Sequence, residues 1–432
     1  MSALDHTIVR LGGAGLLAAA LTIALTACGT SPATSGAAQE TTEAASAEPS
    51  GSGGEADAAS VTAANVTSGG AIDATDLFTE RDLTQVADTT DATHLTLTSG
   101  EDVRITEEGV YVIGGDVTDV TVTVNVADTE KVQLVLDGAS ISNEDAPAIC
   151  VISADKVFVT TVEGTTNVLE VTGAFVDDGG TGADAAIFSK DDLVLNGQGT
   201  LVVTSTDNGV SSHDDLTITG GTYVVSATSD ALEAHDSIRI ADGSFDITAG
   251  KDGLHAENDD DDTLGYVYVC GGTFDIAASD DGIRATTILQ IDGGSLSIEA
   301  QEALEATYVQ VNGGDIDISA SDDGINATSK SASMGTPIIE ITGGDVTITM
   351  AAGDTDALDA NGDLIVSGGT IDISAQFAFD FDGSSSFTGG TIRVNGEEVT
   401  SIANSMMMGG DRGMGGPMGG GAPEGGPMGA QG

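Results

Sequence analysis

The chain has 432 residues, 69 of them acidic against 12 basic, for a formal net charge of -57. That balance argues against nucleic acid as a partner, whose affinity comes from Lys and Arg neutralising phosphates, and makes divalent cations the natural companions of the surface. With 3% aromatic residues, no Trp, 60 Gly and 40% apolar residues, a ring-filled core is excluded as well, and β-branched interior ladders with tight corners are expected.

Residues 1–27 read as an address. Arg10 supplies a thin basic region, and residues 11–24 form an apolar stretch too short for a permanent span. Leu25-Thr26-Ala27-Cys28 resembles the lipobox of bacterial lipoproteins. The resemblance implies cleavage before Cys28, a diacylglyceryl thioether on its sulfur, and a chain tethered to the membrane from outside the cytoplasm. A plain secretory signal with a chance cysteine is the alternative. Residues 28–75 are Ala, Ser, Thr, Gly and Glu with almost no large apolar side chain. Such a stretch cannot bury enough surface to offset its chain entropy, so a flexible stalk is expected.

Residues 76–400 carry one continuous β pattern. From about Asp76 to Ala185 it is loose, as in Leu95-Thr96-Leu97 and Val120-Thr121-Val122-Thr123-Val124, and reads as early coils plus an N-terminal cap over the open end. Then a box recurs: Asp230-Ala-Leu-Glu-Ala, Asp252-Gly-Leu-His-Ala, Asp281-Gly-Ile-Arg-Ala, Glu302-Ala-Leu-Glu-Ala, Asp323-Gly-Ile-Asn-Ala and Asp356-Ala-Leu-Asp-Ala. From the first-residue numbers, the steps are 22, 29, 21, 21 and 33 residues. A unit of about 21–22 residues with alternating apolar and polar side chains marks a solenoid of short strands. Each coil holds the box strand, an alternating triplet such as Ile238-Arg239-Ile240, a Gly-Gly corner, and a third strand such as Phe245-Asp246-Ile247. Period two places Phe245, Phe274, Ile316 and Ile371 inside and their Asp neighbours outside. The expected fold is therefore all-β, a parallel β-helix with three strands per coil, right-handed by the crossover preference of parallel strands. Residues 401–432, Met- and Gly-rich without periodicity, are expected to be disordered.

Two coils carry insertions after the box, residues 257–265 and 328–336. Both leave from one corner, three coil steps of about 4.8 Å apart, and would wall a groove roughly 14 Å wide. Cys150 and Cys270 are roughly five coils apart, or roughly 24 Å, beyond disulfide reach, so buried free thiols are expected.

Residues 131–138 (KVQLVLDG), residues 184–193 (DAAIFSKDDL) and the repeating Asp-Gly-Ile and Gly-Gly corners resemble a bacterial carbohydrate-binding β-helix family whose type member is a clostridial cellulose- and polygalacturonate-binding protein. The resemblance covers about residues 95–400. It implies a pectate-lyase-like β-helix with bound calcium that holds acidic plant or cell-wall polysaccharide rather than cutting it. In relatives the fourth box residue is often Lys. Here that ladder reads Ser211, Glu233, His255, Arg284, Glu305, Asn326, Asp359 and Asp380, which shifts weight from direct sugar binding to metal bridging.

The box ladder is where chemistry is expected. Carboxylates about 4.8 Å apart on consecutive coils repel by roughly 3–4 kcal/mol at an effective dielectric near 20. Either pKa values rise or a cation sits between rungs. Ca2+, which takes six to eight hard oxygens in flexible geometry, suits the pattern. The expected ligands are Asp230, Asp252, Asp280, Asp281, Glu302, Asp322, Asp323 and Asp356. The structural alternative is that each Asp caps its own turn. Arg284, Glu305, His255 and Tyr268 are the expected sugar-binding residues. The expected function is calcium-dependent, non-catalytic binding of acidic polysaccharide by a lipid-anchored monomer, with the membrane touched only through the lipid. Two alternatives compete. One is a calcium-dependent polysaccharide lyase, with Arg284 as its base. The other is a surface spacer or adhesin whose repeats serve only to be long and rigid.

Overall fold

Alternating side chains on short strands leave each coil with one apolar row per strand, and stacking coils is the only way to bury those rows. The computed structural model, which describes residues 72–176, 180–258, 261, 263–353 and 355–405, has this architecture. It is a parallel β-helix. Twelve box-type strands, from Val103–Ile105 to Phe377–Phe381, stack into one sheet. The other two strands of each coil form a second, 24-stranded sheet that turns the Gly-Gly corner. All strand pairings between coils are parallel, and the final pair, Thr391–Val394 with Glu397–Val399, is antiparallel and closes the last coil.

The interior follows the expected ladders. Third strands such as Ser244–Ala249 and Asp315–Ala320 alternate exposed and buried residues along their whole length. Tyr223, Phe245 and Phe274 stack ring on ring, with centroids 5.2 and then 4.4 Å apart, a contact worth about 0.5–1.5 kcal/mol per pair beyond area. Leu296, Ile316, Val346 and Ile371 continue the same column. Asp246, Asp275 and Asp317 face solvent beside it. At the corner Gly313–Gly314, a Cβ on Gly313 would lie 2.5 Å from the Asp292 carbonyl oxygen, and Gly314 has φ +98°. Only glycine fits both demands.

The N-terminal segment departs from expectation. Leu95 and Leu97, beside the first strand pairing, pack on the core at the N-terminal end, but the residues before them do not. Residues 72–85 run along the outside of the helix, over the second-strand face and against the order of the coils. The Ile72 N–H donates to Gln290 Oε1 at 2.5 Å. Phe78 packs on Tyr268, with centroids 6.3 Å apart, and the Arg81 guanidinium lies 4.4 Å over the Phe158 ring. Gln85 accepts from the Gly197 N–H at 2.9 Å and donates to the Thr219 carbonyl at 3.1 Å. This strap buries residues that alternation points outward, Arg239, Tyr268 and Tyr308 among them.

Ordered structure also extends past both expected boundaries. Ile72 is buried within what was expected to be stalk. At the other end Ser405 Oγ accepts the N–H groups of Ala378 and Phe379 at 3.2 and 3.3 Å, inside the expected tail. The signal peptide with Cys28, the rest of the stalk, the Met/Gly tail from Met406 and three residues of the first insertion (259, 260 and 262) lie outside the described residues. Cys150 is buried and lies outside any disulfide, as expected. Cys270 does not. It is disulfide-bonded, and its partner lies outside the described residues. The distance argument had excluded only a bond between Cys150 and Cys270.

Candidate functional site

The box strands hold their outward side chains in register. Glu233, His255, Arg284, Glu305, Asn326, Asp359 and Asp380 pair rung by rung in the expected order. The first box residues form a second ladder beside them, with Asp281 opposite Glu302 and Asp323 opposite Asp356. One side-chain oxygen at several of these rungs does structural work. Asn208 Oδ1 accepts the Asp230 N–H at 3.0 Å, Asp230 Oδ1 that of Asp252 at 2.9 Å, and Asp252 Oδ1 that of Asp281 at 2.9 Å. Asp323 Oδ1 does the same for Asp356 at 3.3 Å. The turn-capping role and the ladder therefore coexist, and the second oxygen is what remains for chemistry.

At the Asp230 rung that second oxygen is already neutralised. Asp230 Oδ2 lies 3.0 Å from His255 Nδ1 and 3.1 Å from Lys251 Nζ. His255 Nε2 lies 2.9 Å from Glu257 Oε2. Burial pulls the imidazole pKa down, but the surrounding carboxylates of Asp230, Glu257 and Asp252 outweigh it and hold it at about 9. His255 is thus an imidazolium at neutral pH, a donor on both nitrogens and no metal ligand. The hydrogen bond from His255 in turn holds Glu257 down at about 2.

One rung higher the balance changes. Asp252 Oδ2 is buried and has no hydrogen-bond partner among the described residues; the nearest cationic nitrogens stand off at 3.5 to 3.9 Å. Asp252, Asp280 and Asp281 can bring ligand oxygens within 4.8 Å of one another, and so can Asp281, Glu302 and Glu305. Burial first, and then the charge of Glu305, pushes both Asp281 and Glu302 well above the usual carboxylate range. The raised values reflect burial first and the crowding of like charges second. Calcium takes hard oxygens in flexible geometry, so the two groups that share Asp281, one with Asp252 and Asp280 and one with Glu302 and Glu305, fit it. The Asp230 rung does not. Asp322, Asp323 and Asp356 join no such group among the described residues. Burial and the Asp359 charge nonetheless push Asp323 up to about 7.

Arg284 runs through the middle of this face. Its guanidinium lies 3.3 Å from Glu257, 3.7 Å from Glu305, 3.9 Å from Asp252 and 4.0 Å from Asp281. Glu305 Oε1 also meets Lys330 Nζ at 2.9 Å. Glu257 and Lys330 belong to the two insertions. Rather than standing as walls of an open groove, they fold onto its floor and close it with charge. A depression of about 410 Å³ opens at the neighbouring corner, between third strand and box, lined by Ser279, Glu299, Gln301, Ser321 and Met350.

Of the four expected sugar contacts, the structure brings His255, Arg284 and Glu305 together. Tyr268 lies elsewhere. It is on the second-strand face, 1% exposed beneath the strap, with its hydroxyl donating to Asp292 Oδ2 at 2.8 Å. Sequence reasoning missed Lys251, Glu257 and Lys330. Lys251 was open to view, being the residue before a box Asp. Glu257 and Lys330 lay in insertions whose path no periodicity specifies.

A family model described as carbohydrate-binding domain-containing protein matches residues 99–354 and 303–405. A curated protein of that description from Acetivibrio thermocellus is 36% identical over 128 residues, covering 28% of this chain and 44% of that protein. The chain thus spans less than half the length of that relative. A solved structure of a polysaccharide lyase-like protein from C. thermocellum, a gadolinium derivative, is 34% identical at a TM-score of 0.45 and covers 47% of this chain and 84% of its own. With the matched segments running through nearly every coil of the helix, this chain belongs to the carbohydrate-binding domain-containing protein family.

Proposed function

We propose that the chain holds acidic polysaccharide without cleaving it, with calcium as the link between two negative partners, from a lipid anchor outside the cytoplasm. The observation that carries the reading is Asp252 Oδ2, buried and without a hydrogen-bond donor, beside the unneutralised Asp280, Asp281 and Glu302. When bound there, calcium supplies positive charge that a uronate carboxylate can share. The chain's own residues hold and orient. Asp252 and Asp281 are tied together by the capping ladder, and His255, Lys251 and Arg284 present the cationic atoms nearest Asp252. A polymer of neutral sugars has no use for this arrangement, whereas a polyuronate does.

Arg284 weighs against the lyase reading. Burial would lower its pKa, but Glu257, Asp252, Glu305 and Asp281 together raise it, and a guanidinium that holds its proton more tightly is a poorer base. The anchor rests on the Cys28 sulfur. The intact mass of membrane-extracted protein, which carries the added diacylglyceryl group only if the thioether forms there, tests the anchor directly. Affinity electrophoresis through polygalacturonate tests the binding. Retardation in calcium that vanishes with a chelator is expected. Equal migration in both gels ends the proposal, and an unsaturated product absorbing in the ultraviolet ends its non-catalytic part.

A further inference from the structure

Where the strap meets the coil wall, it buries a lysine between two aspartates. Lys156 is 3% exposed and Asp82, on the strap, is 1% exposed. Lys156 Nζ stands 3.7 Å from Asp82 Oδ1 and 3.4 Å from Asp192 Oδ2, and Asp192 is the register partner of Lys156 on the next coil. Asp82 Oδ2 accepts the Thr79 N–H at 2.8 Å, while Oδ1, equally buried, has no hydrogen-bond partner among the described residues. The Asp82 backbone is pinned as well, its carbonyl accepting from Asn196 Nδ2 at 3.3 Å and from the Thr219 hydroxyl. The Phe158 ring, capped by Arg81, shields the neighbouring rung.

The buried cations here are Lys156 and Arg239, the latter paired with Asp215, and Lys131, 23% exposed, faces Lys156 from the preceding coil. The carboxylates are Asp82, Asp215 and Asp192, whose side chain is 25% exposed. Asp82 Oδ1, buried without a hydrogen bond, is the costly atom. Burial and then the Asp215 charge push Asp192 well above the usual carboxylate range, so it can take up and return a proton near neutral pH.

We propose that Lys156 and Asp82 condense into an intramolecular amide that fastens the strap to the helix, with Asp192 carrying the proton. One ammonium proton passes through Asp192 to an Asp82 oxygen, leaving Nζ with a lone pair. Nζ attacks Cγ of Asp82, forming the new C–N bond. A second Nζ proton passes through Asp192 to the same Asp82 oxygen, the C–O bond breaks, and one water leaves. Overall an ammonium and a carboxylate become an amide and water, with no change in oxidation state and no co-reactant. In bulk water hydrolysis would win. Here the partners are held in contact, where effective molarities reach about 10⁵–10⁸ M, and the strap excludes the water needed for the reverse step.

Tryptic mapping of the full-length folded chain decides the question. Trypsin does not cut after an acylated lysine. The expected product is a branched species joining residues 82–104 to residues 132–190, one water lighter than the two summed. The linear peptides 82–104, 132–156 and 157–190 at full mass, with no branch, overturn the proposal. So does a branch that maps to Asp192 in place of Asp82. Lys156→Arg keeps the charge but cannot form the amide, so the branch should be lost while circular dichroism stays that of a β-helix. In Asp192→Ala the branch should form roughly 100-fold more slowly after refolding. An unchanged rate overturns the proton-carrying role. The wild-type map decides the linkage even where a variant fails to fold.

Discussion

Below the Asp281 rung the box ladder carries its own cations; from Asp281 upward it largely does not. The two stretches share one parallel register, but the capping hydrogen bonds run unbroken only from Asn208 to Asp281 and resume from Asp323 to Asp356. At Asp230 the second carboxylate oxygen is met by Lys251 and a doubly hydrogen-bonded His255. At Asp281 and Glu302 the neighbours are other carboxylates, and Arg284 stands 4.0 Å from Asp281. One repeat thus yields a self-sufficient ion network and, a coil later, a group of oxygens in want of a cation. The side chain at the fourth box position makes the difference: His255 is held tightly by its acids, whereas Glu305 adds one more.

The comparison can be broken most forcefully at His255. Removing a buried imidazolium leaves Asp230 with Lys251 alone and Glu257 with Arg284 alone, and His255→Ala should cost about 3 kcal/mol at pH 7. Amide exchange should accelerate through the coils around residues 230–257, while calcium affinity should not fall. A loss of calcium binding in this variant would mean the two stretches are one site.

Titration comes next in size. The folded-state pKa of His255, about 9, lies above its unfolded value of about 6.5. Its contribution is therefore fully present below pH 6.5 and is lost as pH rises through 9, a swing of about 3 kcal/mol that burial and coupling to Asp230 will trim. Asp281 and Glu302 push stability the same way for the opposite reason. Their raised values mean that the folded chain binds more protons than the unfolded one, so stability falls as pH climbs above the ordinary carboxylate range. Saturating calcium should cancel the carboxylate part and leave the His255 part. Urea midpoints across pH, with and without calcium, read both; identical curves would remove the distinction.

A smaller effect is expected from Glu302→Gln. Relieving one repulsion should raise metal-free stability by about 1 kcal/mol, while loss of a charged ligand should weaken calcium binding roughly tenfold by calorimetry. Smallest of all is Lys251→Met. The ammonium is 42% exposed, and pairs of this kind contribute about 0.2–1 kcal/mol. A larger drop in the denaturation midpoint would show that Lys251 matters more to the Asp230 rung than its exposure allows.

Much of this was legible in the chain itself, for a physical reason. Period-two alternation and a fixed coil length determine which residues share a vertical ladder, since parallel stacking leaves no freedom once the register is set. The order of the box ladder from Ser211 to Asp380, the buried Phe245 and Phe274 column and the Gly-Gly corners all follow from that rule. Alternation also says whether a side chain points into or out of the coil. It does not say what covers the outside. Arg239 and Tyr268 point outward as the pattern requires, yet the strap buries both. The short apolar run of Ile72, Leu77 and Phe78 has no periodicity to announce where it docks.

Of the candidate site, the acids and Arg284 were visible as types, and their pairings were not. Glu257 and Lys330 reach the floor from insertions, whose path depends on what they meet. Sequence by itself determined an acidic parallel β-helix, because repeat length and side-chain parity are local properties, and its resemblance pointed to the carbohydrate-binding family. Tertiary structure alone decided which carboxylates keep an oxygen to spare and which lysine the strap buries. Those outcomes depend on distances between residues far apart in the chain, where a shift of an ångström turns an ion pair into an orphaned charge.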